Sequence, residues 1–264
     1  MSDWGTYNGL KVAVQDKVAT VLLNRPDVKN AFNDELIAEL TRCFNDISSS
    51  KKIRIVILTG EGDVFCSGAD LNWMRKMANY TREENIADTQ RMSEMFEAID
   101  TCSKPVIGRI NGSAFGGGVG LIAVCDIAII NKDAQFAFSE VKLGIVPAVI
   151  SPYIVRKIGL GYARELFTTG ERFNADRAKE IGLANHIGTM DEIEEMIAFK
   201  VKMLSSSGPV SIFEAKGLLR KLEELGTAEF RSFTAEKIAE LRASDEGKEG
   251  IASFLEKRKP NWRD

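Results

Sequence analysis

The sequence has a single histidine, His186, among 264 residues, and its four cysteines are scattered at Cys43, Cys66, Cys102 and Cys125. One histidine excludes a histidine-based metal cage, and the cysteines lack the C-x-x-C spacing of a zinc ribbon or a redox pair. We therefore expect four reduced cysteines and no bound metal. His186 lies in the strand-like segment GLANHIG, where a structural role is expected.

Long apolar runs and strong net charge are also missing. No run approaches the roughly 18 residues of a membrane-spanning helix, and the opening MSDW lacks the basic and then apolar layout of a secretion signal. The net charge of −3 and the isoelectric point of about 5.5 give no electrostatic reason to expect a nucleic-acid partner. Hydrophobic residues at 44% and charged residues at 28% are typical of a globular protein, which we expect to be cytoplasmic.

Strand-like and helix-like segments alternate over the first 190 residues. Strands rich in branched apolar residues are expected at 17–25, 53–60, 104–112, 125–131 and 134–138. Amphipathic helices are expected at 33–47, with Asn33 as the N-cap, and at 82–100. This order predicts an α/β fold with parallel strands.

From about residue 191 onward the pattern is helical only. Helices are expected at 209–225, 227–243 and 247–258, connected by SSSGP, LGT and SDEGKEG. We therefore divide the chain into an α/β core, residues 1–190, and a helical C-terminal region, residues 191–264. The apolar stripes of that region fit its own core and a neighbouring subunit equally well.

The segment SAFGGGVGLIAVC allows three readings. Gly118, Gly120 and Ala123 match the G-x-G-x-x-A spacing of a dinucleotide-binding turn, but the next strand follows too soon for the usual crossover helix. The glycines can instead permit close packing. In the third reading their N–H groups, at a helix N-terminus, hold an anion and form an oxyanion hole for a carbonyl that becomes an enolate.

A second N–H donor and a carboxylate complete the third reading. In DVFCSGADLNWM the chain turns at Gly68 and a helix is expected to begin at Ala69 or Asp70, which places the N–H of Ala69 at a helix start. Asp70 is interpreted as a favourable charge at that helix N-terminus. Glu140 has apolar neighbours that would raise its pKa and suit proton transfer near neutral pH.

Five segments together resemble the crotonase (enoyl-CoA hydratase/isomerase) superfamily: NRPDVKNAF, VFCSGADL, KPVIGRINGSAFGGGVGL, FSEVKLGIVP and FLEKRKPNW. The resemblance covers nearly the whole chain. It implies a crotonase-like spiral of β-β-α turns with two near-perpendicular sheets and a helical C-terminal trimerisation region, assembled as a homotrimer or a hexamer. It also implies an acyl-CoA thioester substrate, with coenzyme A as part of the substrate and no separate cofactor.

The same resemblance assigns the oxyanion donors to Ala69 and Gly117 and the acid/base to Glu140. Hydratases of the family carry a second glutamate at the position of Gly120, whereas its double-bond isomerases tend to keep only the one at Glu140. Contacts to the substrate and its coenzyme A are expected from Ser67, Gly68, Asp70, Leu71, Asn72, Gly116, Arg25 and Lys29. Lys257 and Lys259 are further candidates for the coenzyme A phosphates.

In finer detail, AFGGGVGL and DLNWMRKM are similar to the branch that hydrates 3-methylglutaconyl-CoA in leucine breakdown, and to its isoprenoid-degrading relatives. We therefore expect a lyase that converts such a thioester to a 3-hydroxyacyl-CoA. Arg75 or Lys76 is expected near a distal carboxylate, and Ser139, Ser151 or Tyr153 near the water. The alternatives are an isomerase or decarboxylase on the same site, or non-catalytic binding of acyl-CoA or RNA.

Overall fold

The computed structural model describes residues 2–224 and 226–263 as an α/β fold with two sheets. The strands are β1 (Ser2–Asp3), β2 (Leu10–Gln15), β3 (Val18–Leu23), β4 (Ile55–Gly60), β5 (Val64–Cys66), β6 (Val106–Ile110), β7 (Ser113–Phe115), β8 (Ile127–Asn131), β9 (Gln135–Ala137), β10 (Arg172–Asn174) and β11 (His186–Gly188). The helices are α1 (Asp34–Ser49), α2 (Leu71–Met77), α3 (Arg82–Asp100), α4 (Gly117–Ala123), α5 (Ser151–Thr169), α6 (Ala175–Glu180), α7 (Met190–Ser206), α8 (Pro209–Glu224), α9 (Thr227–Ala243) and α10 (Asp245–Leu255). No helix of this described part is both long and apolar enough for a membrane span.

The larger sheet has the order β1-β2-β3-β4-β6-β8-β11, and the smaller has the order β10-β9-β7-β5. Strands β3, β4, β6, β8 and β11 run parallel, as the alternation of elements predicted. The antiparallel strands β1 and β2 at one edge were not predicted. The predicted strands are present, but the structure shortens each at one or both ends.

Successive β-β-α units build the two sheets together. The units β4-β5-α2, β6-β7-α4 and β8-β9-α5 each send their first strand to the larger sheet and their second to the smaller one. This is the predicted spiral, and it confirms the expected fold class. Because β5, β7 and β9 are parallel neighbours, their carboxyl ends meet at one edge of the smaller sheet.

Helix α1 begins and packs as its sequence predicts. The side chain of Asn33 caps it by accepting a hydrogen bond from the N–H of Leu36 at 2.9 Å. Its apolar stripe is fully buried, through Leu36, Leu40, Phe44 and Ile47. The stripe contributes to one large core that also contains all four cysteines, which are free and buried.

The C-terminal region is helical, and the structure corrects both ends of its last predicted helix. The segment SDEGKEG is not a linker, because Ser244 caps α10 by accepting a hydrogen bond from the N–H of Gly247 at 3.0 Å. Helix α10 therefore starts at Asp245 rather than at 247, and ends at Leu255 rather than at 258. The predicted end of the 209–225 helix falls on residue 225, which lies outside the described residues. The division at residue 190 and the packing of subunits stay predictions.

Candidate active site

The loop after β5 turns sharply at Gly68. Its φ of +90° is left-handed, and a Cβ there would lie 2.9 Å from the carbonyl oxygen of Phe115, so glycine is required. The N–H of Phe32 donates to the carbonyl of Gly68 at 2.7 Å, and the N–H of Asp70 donates to the carbonyl of Phe32 at 2.8 Å. In this parallel bridge the N–H of Ala69 points away from Phe32. It has no hydrogen-bond partner among the described residues.

Asp70 holds this loop in place through hydrogen bonds and an ion pair. Its carboxylate accepts hydrogen bonds from the N–H groups of Asn72 at 2.8 Å and Trp73 at 3.3 Å, and so caps α2, which begins one residue later than Asp70. The other oxygen pairs with Arg25 at 3.1 Å, and Arg25 also donates to the carbonyl of Ala31. Burial alone would raise the pKa of Asp70, but these hydrogen bonds and the Arg25 charge hold it below its usual value.

The loop after β7 presents a second free N–H. Gly116 has a left-handed φ of +52° and donates its own N–H to the carbonyl of Ala137 at 2.9 Å. Its carbonyl accepts from Val119 and Gly120, which opens helix α4 at Gly117. The N–H of Gly117 has no partner within the described chain, as expected for the first turn of a helix.

The structure excludes the dinucleotide-binding reading of the glycine run. A dinucleotide turn joins two parallel strands of one sheet through a helix of several turns. Here α4 spans seven residues, and it connects β7 of the smaller sheet to β8 of the larger sheet. Gly118 serves close packing instead, because a Cβ there would collide with the carbonyl oxygen of Cys66.

Glu140 approaches Gly116 from a 3₁₀ turn, Ser139–Leu143, that follows β9. Its Oε1 lies 3.1 Å from the position of a Cβ on Gly116. Its Oε2 is buried without a hydrogen-bond partner among the described residues. Burial raises the pKa of this carboxyl, partly offset by a hydrogen bond from its own backbone. The group is therefore suited to taking and returning a proton.

The position of the absent second glutamate has no free space. A Cβ on Gly120 would collide with Cγ2 of Ile150 and lie 3.0 Å from the ring of Phe96. All three residues are buried, so a longer side chain could not be accommodated without moving helix α5 or α3. The site is therefore shaped around a single carboxylate on this wall.

These elements surround one cavity of about 460 Å³. Seven of the predicted site residues line it, namely Ser67, Gly68, Ala69, Leu71, Gly116, Gly117 and Glu140. The other four, Arg25, Lys29, Asp70 and Asn72, do not line it. Arg25 and Asp70 fix the loop behind the cavity, and the assignment of all four to substrate or coenzyme A binding stays a prediction.

The apolar wall of the cavity was missed at the sequence level. Met92 of α3 packs against the core, and its Cε lies 2.9 Å from the position of a Cβ on Gly117. Other apolar lining residues come from α2 and from the segment before α5, and include Trp73, Met74, Met77, Ile145, Val146 and Val149. Asp88, also on α3, was not recognised either. The run of methionines in α2 and α3 was the available signal, since methionine adapts to varied ligands.

The cations expected near a distal carboxylate lie outside the cavity. Arg75 donates to the side-chain oxygen of Asn72 at 2.9 Å, and Lys76 pairs with Asp34 at 2.8 Å. The cavity lining contains no lysine or arginine from the described part of the chain. A substrate carboxylate would therefore have to be recognised by another group.

Of the residues expected to position water, Ser139 lines the cavity, whereas Ser151 and Tyr153 do not. The hydroxyl of Ser151 donates to the carbonyl of Ala148 at 2.7 Å. His186 lies on β11, beside a separate surface depression with Phe199. In residues 2–224 and 226–263, no group of three histidine, cysteine or acidic side chains is arranged to hold a metal ion.

Comparison with known proteins gives the family. The family described as Enoyl-CoA hydratase/isomerase matches residues 13–264. A putative enoyl-CoA hydratase of Thermus thermophilus is 32% identical over 245 residues, covering 93% of this chain and 97% of that protein. A crotonyl-CoA hydratase of Syntrophomonas wolfei is 30% identical over 258 residues, covering 97% and 98%. The crystal structure of an enoyl-CoA hydratase from Shewanella pealeana has a TM-score of 0.94 at 38% identity, covering 97% of this chain and 96% of that chain. The chain therefore belongs to the enoyl-CoA hydratase/isomerase family.

Proposed function

We propose that the protein adds water across the double bond of an α,β-unsaturated acyl-CoA thioester. One observation carries the proposal: the N–H groups of Ala69 and Gly117 and Oε2 of Glu140, which have no hydrogen-bond partner among the described residues, belong to the same cavity. Two donors and one proton carrier are what the chemistry of an enolate requires.

The thioester oxygen accepts hydrogen bonds from the N–H groups of Ala69 and Gly117. As the double bond is attacked, negative charge moves onto this oxygen, and fixed donors stabilise that charge more than they stabilise the neutral carbonyl. Loss of one donor from such a site typically costs about 3–4 kcal/mol of transition-state stabilisation. The N-terminus of α4 adds a smaller favourable potential.

Glu140 carries the proton in both directions. Its carboxylate takes a proton from water while the water oxygen bonds to the β-carbon, and the π electrons of the double bond move to the enolate. The protonated Glu140 then gives that proton to the α-carbon as the enolate collapses. The net change is the addition of one water, and a single carboxylate is sufficient for the balance.

The absence of space for a carboxylate at Gly120 also favours a second candidate, a double-bond isomerase. An isomerase needs only a group that removes a proton from one carbon and returns it to another, which Glu140 can do alone. Incubation in water labelled with heavy oxygen separates the two reactions, because only a hydration product acquires solvent oxygen.

For the acyl group, we propose 3-methylglutaconyl-CoA and a place in leucine breakdown. The support is the similarity of segments such as AFGGGVGL and DLNWMRKM to that branch of the family. We further propose a cytoplasmic homotrimer or hexamer with no cofactor beyond the coenzyme A of the substrate. The assembly is supported by exposed apolar side chains on α10. Ile251, Phe254 and Leu255 are 52%, 81% and 73% exposed in the single chain.

The test is the exchange Glu140→Gln, which keeps the shape of the side chain and removes its proton transfer. We expect hydration to fall by a factor of about 10² or more while coenzyme A binding is retained. The control is Glu165→Gln, an exposed carboxylate that pairs with Arg177 away from the cavity. Hydration by Glu140→Gln at the rate of the control would overturn the mechanism.

A further inference from the structure

Asp88 is a buried carboxylate on the apolar wall of the cavity. Its side chain is only 6% exposed, and Asp88 and Glu140 are the charged residues among those that line the cavity in the described chain. The mechanism above uses Glu140 and gives Asp88 no role. A carboxyl group kept in an apolar wall carries a desolvation cost, which calls for an explanation.

The surroundings of Asp88 balance its charge. Arg91 of its own helix pairs with it at 2.9 Å. Asp34, at the start of α1, contacts it and accepts hydrogen bonds from Lys76 at 2.8 Å and from the indole of Trp73 at 3.1 Å. The cluster thus contains two acidic side chains, Asp34 and Asp88, and two cationic ones, Lys76 and Arg91. They come from α1, α2 and α3.

The two acids of this cluster differ in their preference for a proton. Burial raises the pKa of Asp88 in spite of the Arg91 charge. Burial alone would also raise the pKa of Asp34, but the hydrogen bond and charge of Lys76 lower it below its usual value. A proton held by the pair therefore resides on Asp88, and this acid can act as a hydrogen-bond donor.

Asp88 lies one helical turn away from a residue that packs against one of the oxyanion donors. Met92 packs against Gly117, one of the two oxyanion donors. Asp88 precedes Met92 by one helical turn on the same face of α3, an axial distance of about 6 Å. A chain of a few carbons beyond the thioester spans such a distance.

We propose that Asp88 forms a hydrogen bond with the distal end of the acyl group, so that the site selects acyl chains with a polar terminus. This inference rests on the proposed acyl-CoA function and names its substrate class. A protonated Asp88 donates to a terminal carboxylate, and an ionised Asp88 accepts from a terminal hydroxyl. The other lining residues from α2 and α3 are apolar, apart from Thr89, so an acyl chain with an apolar end leaves Asp88 buried and without this bond.

The first measurement compares three substrates of equal chain length, 3-methylglutaconyl-CoA and its analogues that end in a hydroxyl and in a methyl group. We expect kcat/KM for the wild-type protein to be about ten- to a hundredfold higher for the polar ends than for the methyl end. Equal values for all three substrates would overturn the inference while leaving the proposed hydratase intact. Failure of the wild-type protein to hydrate any enoyl-CoA would instead overturn the proposed function.

Variants of Asp88 test the residue itself. Asp88→Leu should remove the preference for polar ends through an increase in KM, and Asp88→Asn should keep a preference for the carboxylate because its amide donates. The control is Asp100→Leu. Asp100 also lies on α3 but outside the cavity, where it pairs with Arg156 of α5, and its loss should leave the preference unchanged. A preference that persists in Asp88→Leu would contradict the inference.

The pH profile distinguishes recognition from a structural role. Asp34, Lys76, Arg91 and Glu140 are the other ionisable groups of the cluster and cavity. With the carboxylate substrate, KM of the wild-type protein should rise with pH as Asp88 loses its proton, and Asp88→Asn should lack this rise. The hydroxyl substrate should show no such rise. An unchanged profile in Asp88→Asn would overturn the inference even if Asp88→Leu fails to fold.

Discussion

Gly120 and Ile150 are in direct contact, because a Cβ on Gly120 would overlap Cγ2 of Ile150. Both residues are buried, and the ring of Phe96 closes the same gap from α3. The missing second glutamate is therefore accompanied by side chains that fill its place, and restoring it requires more than one exchange.

The first prediction concerns this contact. Gly120→Ala should lower the free energy of unfolding by about 1–3 kcal/mol because the added methyl group overpacks the core. Ile150→Ala in the same chain should recover part of that loss, since neighbouring substitutions are not additive. Urea denaturation of the single and double variants measures both effects. An additive double variant would show that the two side chains do not compete for space.

Gly120→Glu should not create a better hydratase. The carboxylate would enter a filled and buried region, so we expect loss of stability without any gain in kcat. Steady-state hydration assays on folded material provide the measurement. A stable Gly120→Glu variant with faster hydration would contradict the packing argument.

The second prediction concerns Gly116, whose left-handed φ holds the chain next to Glu140. Gly116→Ala should lower stability by roughly 1–3 kcal/mol through backbone strain, and should also reduce kcat because its methyl group displaces the Glu140 carboxylate. Gly159→Ala is the matched control, with φ of +75° and open space around its Cβ. Gly159→Ala should lose stability but keep the kcat of the wild-type protein. Equal kcat in the two variants would disprove the link between Gly116 and Glu140.

The third prediction separates two roles of Arg25. If this side chain orders the loop, Arg25→Met should leave the affinity for coenzyme A unchanged, lower kcat, and reduce stability by about 1–3 kcal/mol, because Oδ2 of Asp70 loses its ion pair. If it contacts the coenzyme A phosphates, as the sequence suggested, affinity should fall first. Binding of free coenzyme A, measured by calorimetry, decides between the two. Asp70→Asn, which keeps the helix cap, should weaken the loop less than Asp70→Ala.

The fourth prediction follows from the raised pKa of Glu140 in the folded protein. Protonated Glu140 is favoured by folding, so its contribution to stability is complete below the pKa of the unfolded chain, near 4.5, and is lost as pH rises through the folded pKa. Glu140→Gln should therefore be more stable than the wild-type protein at neutral pH and equally stable in acid. Urea denaturation across this range measures the difference.

The activity of the wild-type protein should also depend on the ionisation of Glu140, but it should rise with pH where the stability falls. Glu140 must be ionised to accept a proton from water, so kcat/KM should rise with pH through the raised pKa and then level off. A profile that is flat through this range would show that Glu140 is not the base.

Much of the site could be predicted from the sequence because its parts are local. The turn at Gly68, the start of α4 and the position of Glu140 each depend on a few consecutive residues. Residues that act through distant contacts could not be found in this way. Asp88 lies in the charged stretch REENIADTQR, which is typical of a solvent-exposed helix face, yet it is buried in the fold, where it meets Asp34 of α1.

The hairpin of β2 and β3 shows a local signal that was too weak to recognise. Its two central residues, Asp16 and Lys17, have φ of +50° and +65°, as the tight turn of a two-residue hairpin requires. Glycine or asparagine usually marks such a turn, and lysine does not. Strand β2 was therefore missed, although its pairing with β3 extends over six residues.

The carboxyl ends of β5, β7 and β9 meet at one edge of the smaller sheet, and their spacing determines how far apart the candidate site residues lie. Ala69, Gly117 and Glu140 each follow one of these strands within three residues. Adjacent strands are about 4.8 Å apart, a gap that one oxygen atom bridges when it accepts a hydrogen bond of about 2.9 Å from each side. In the proposed mechanism, the strand spacing fixes the separation of the two donors, and the side chains of the cavity can change with the substrate while that separation is kept.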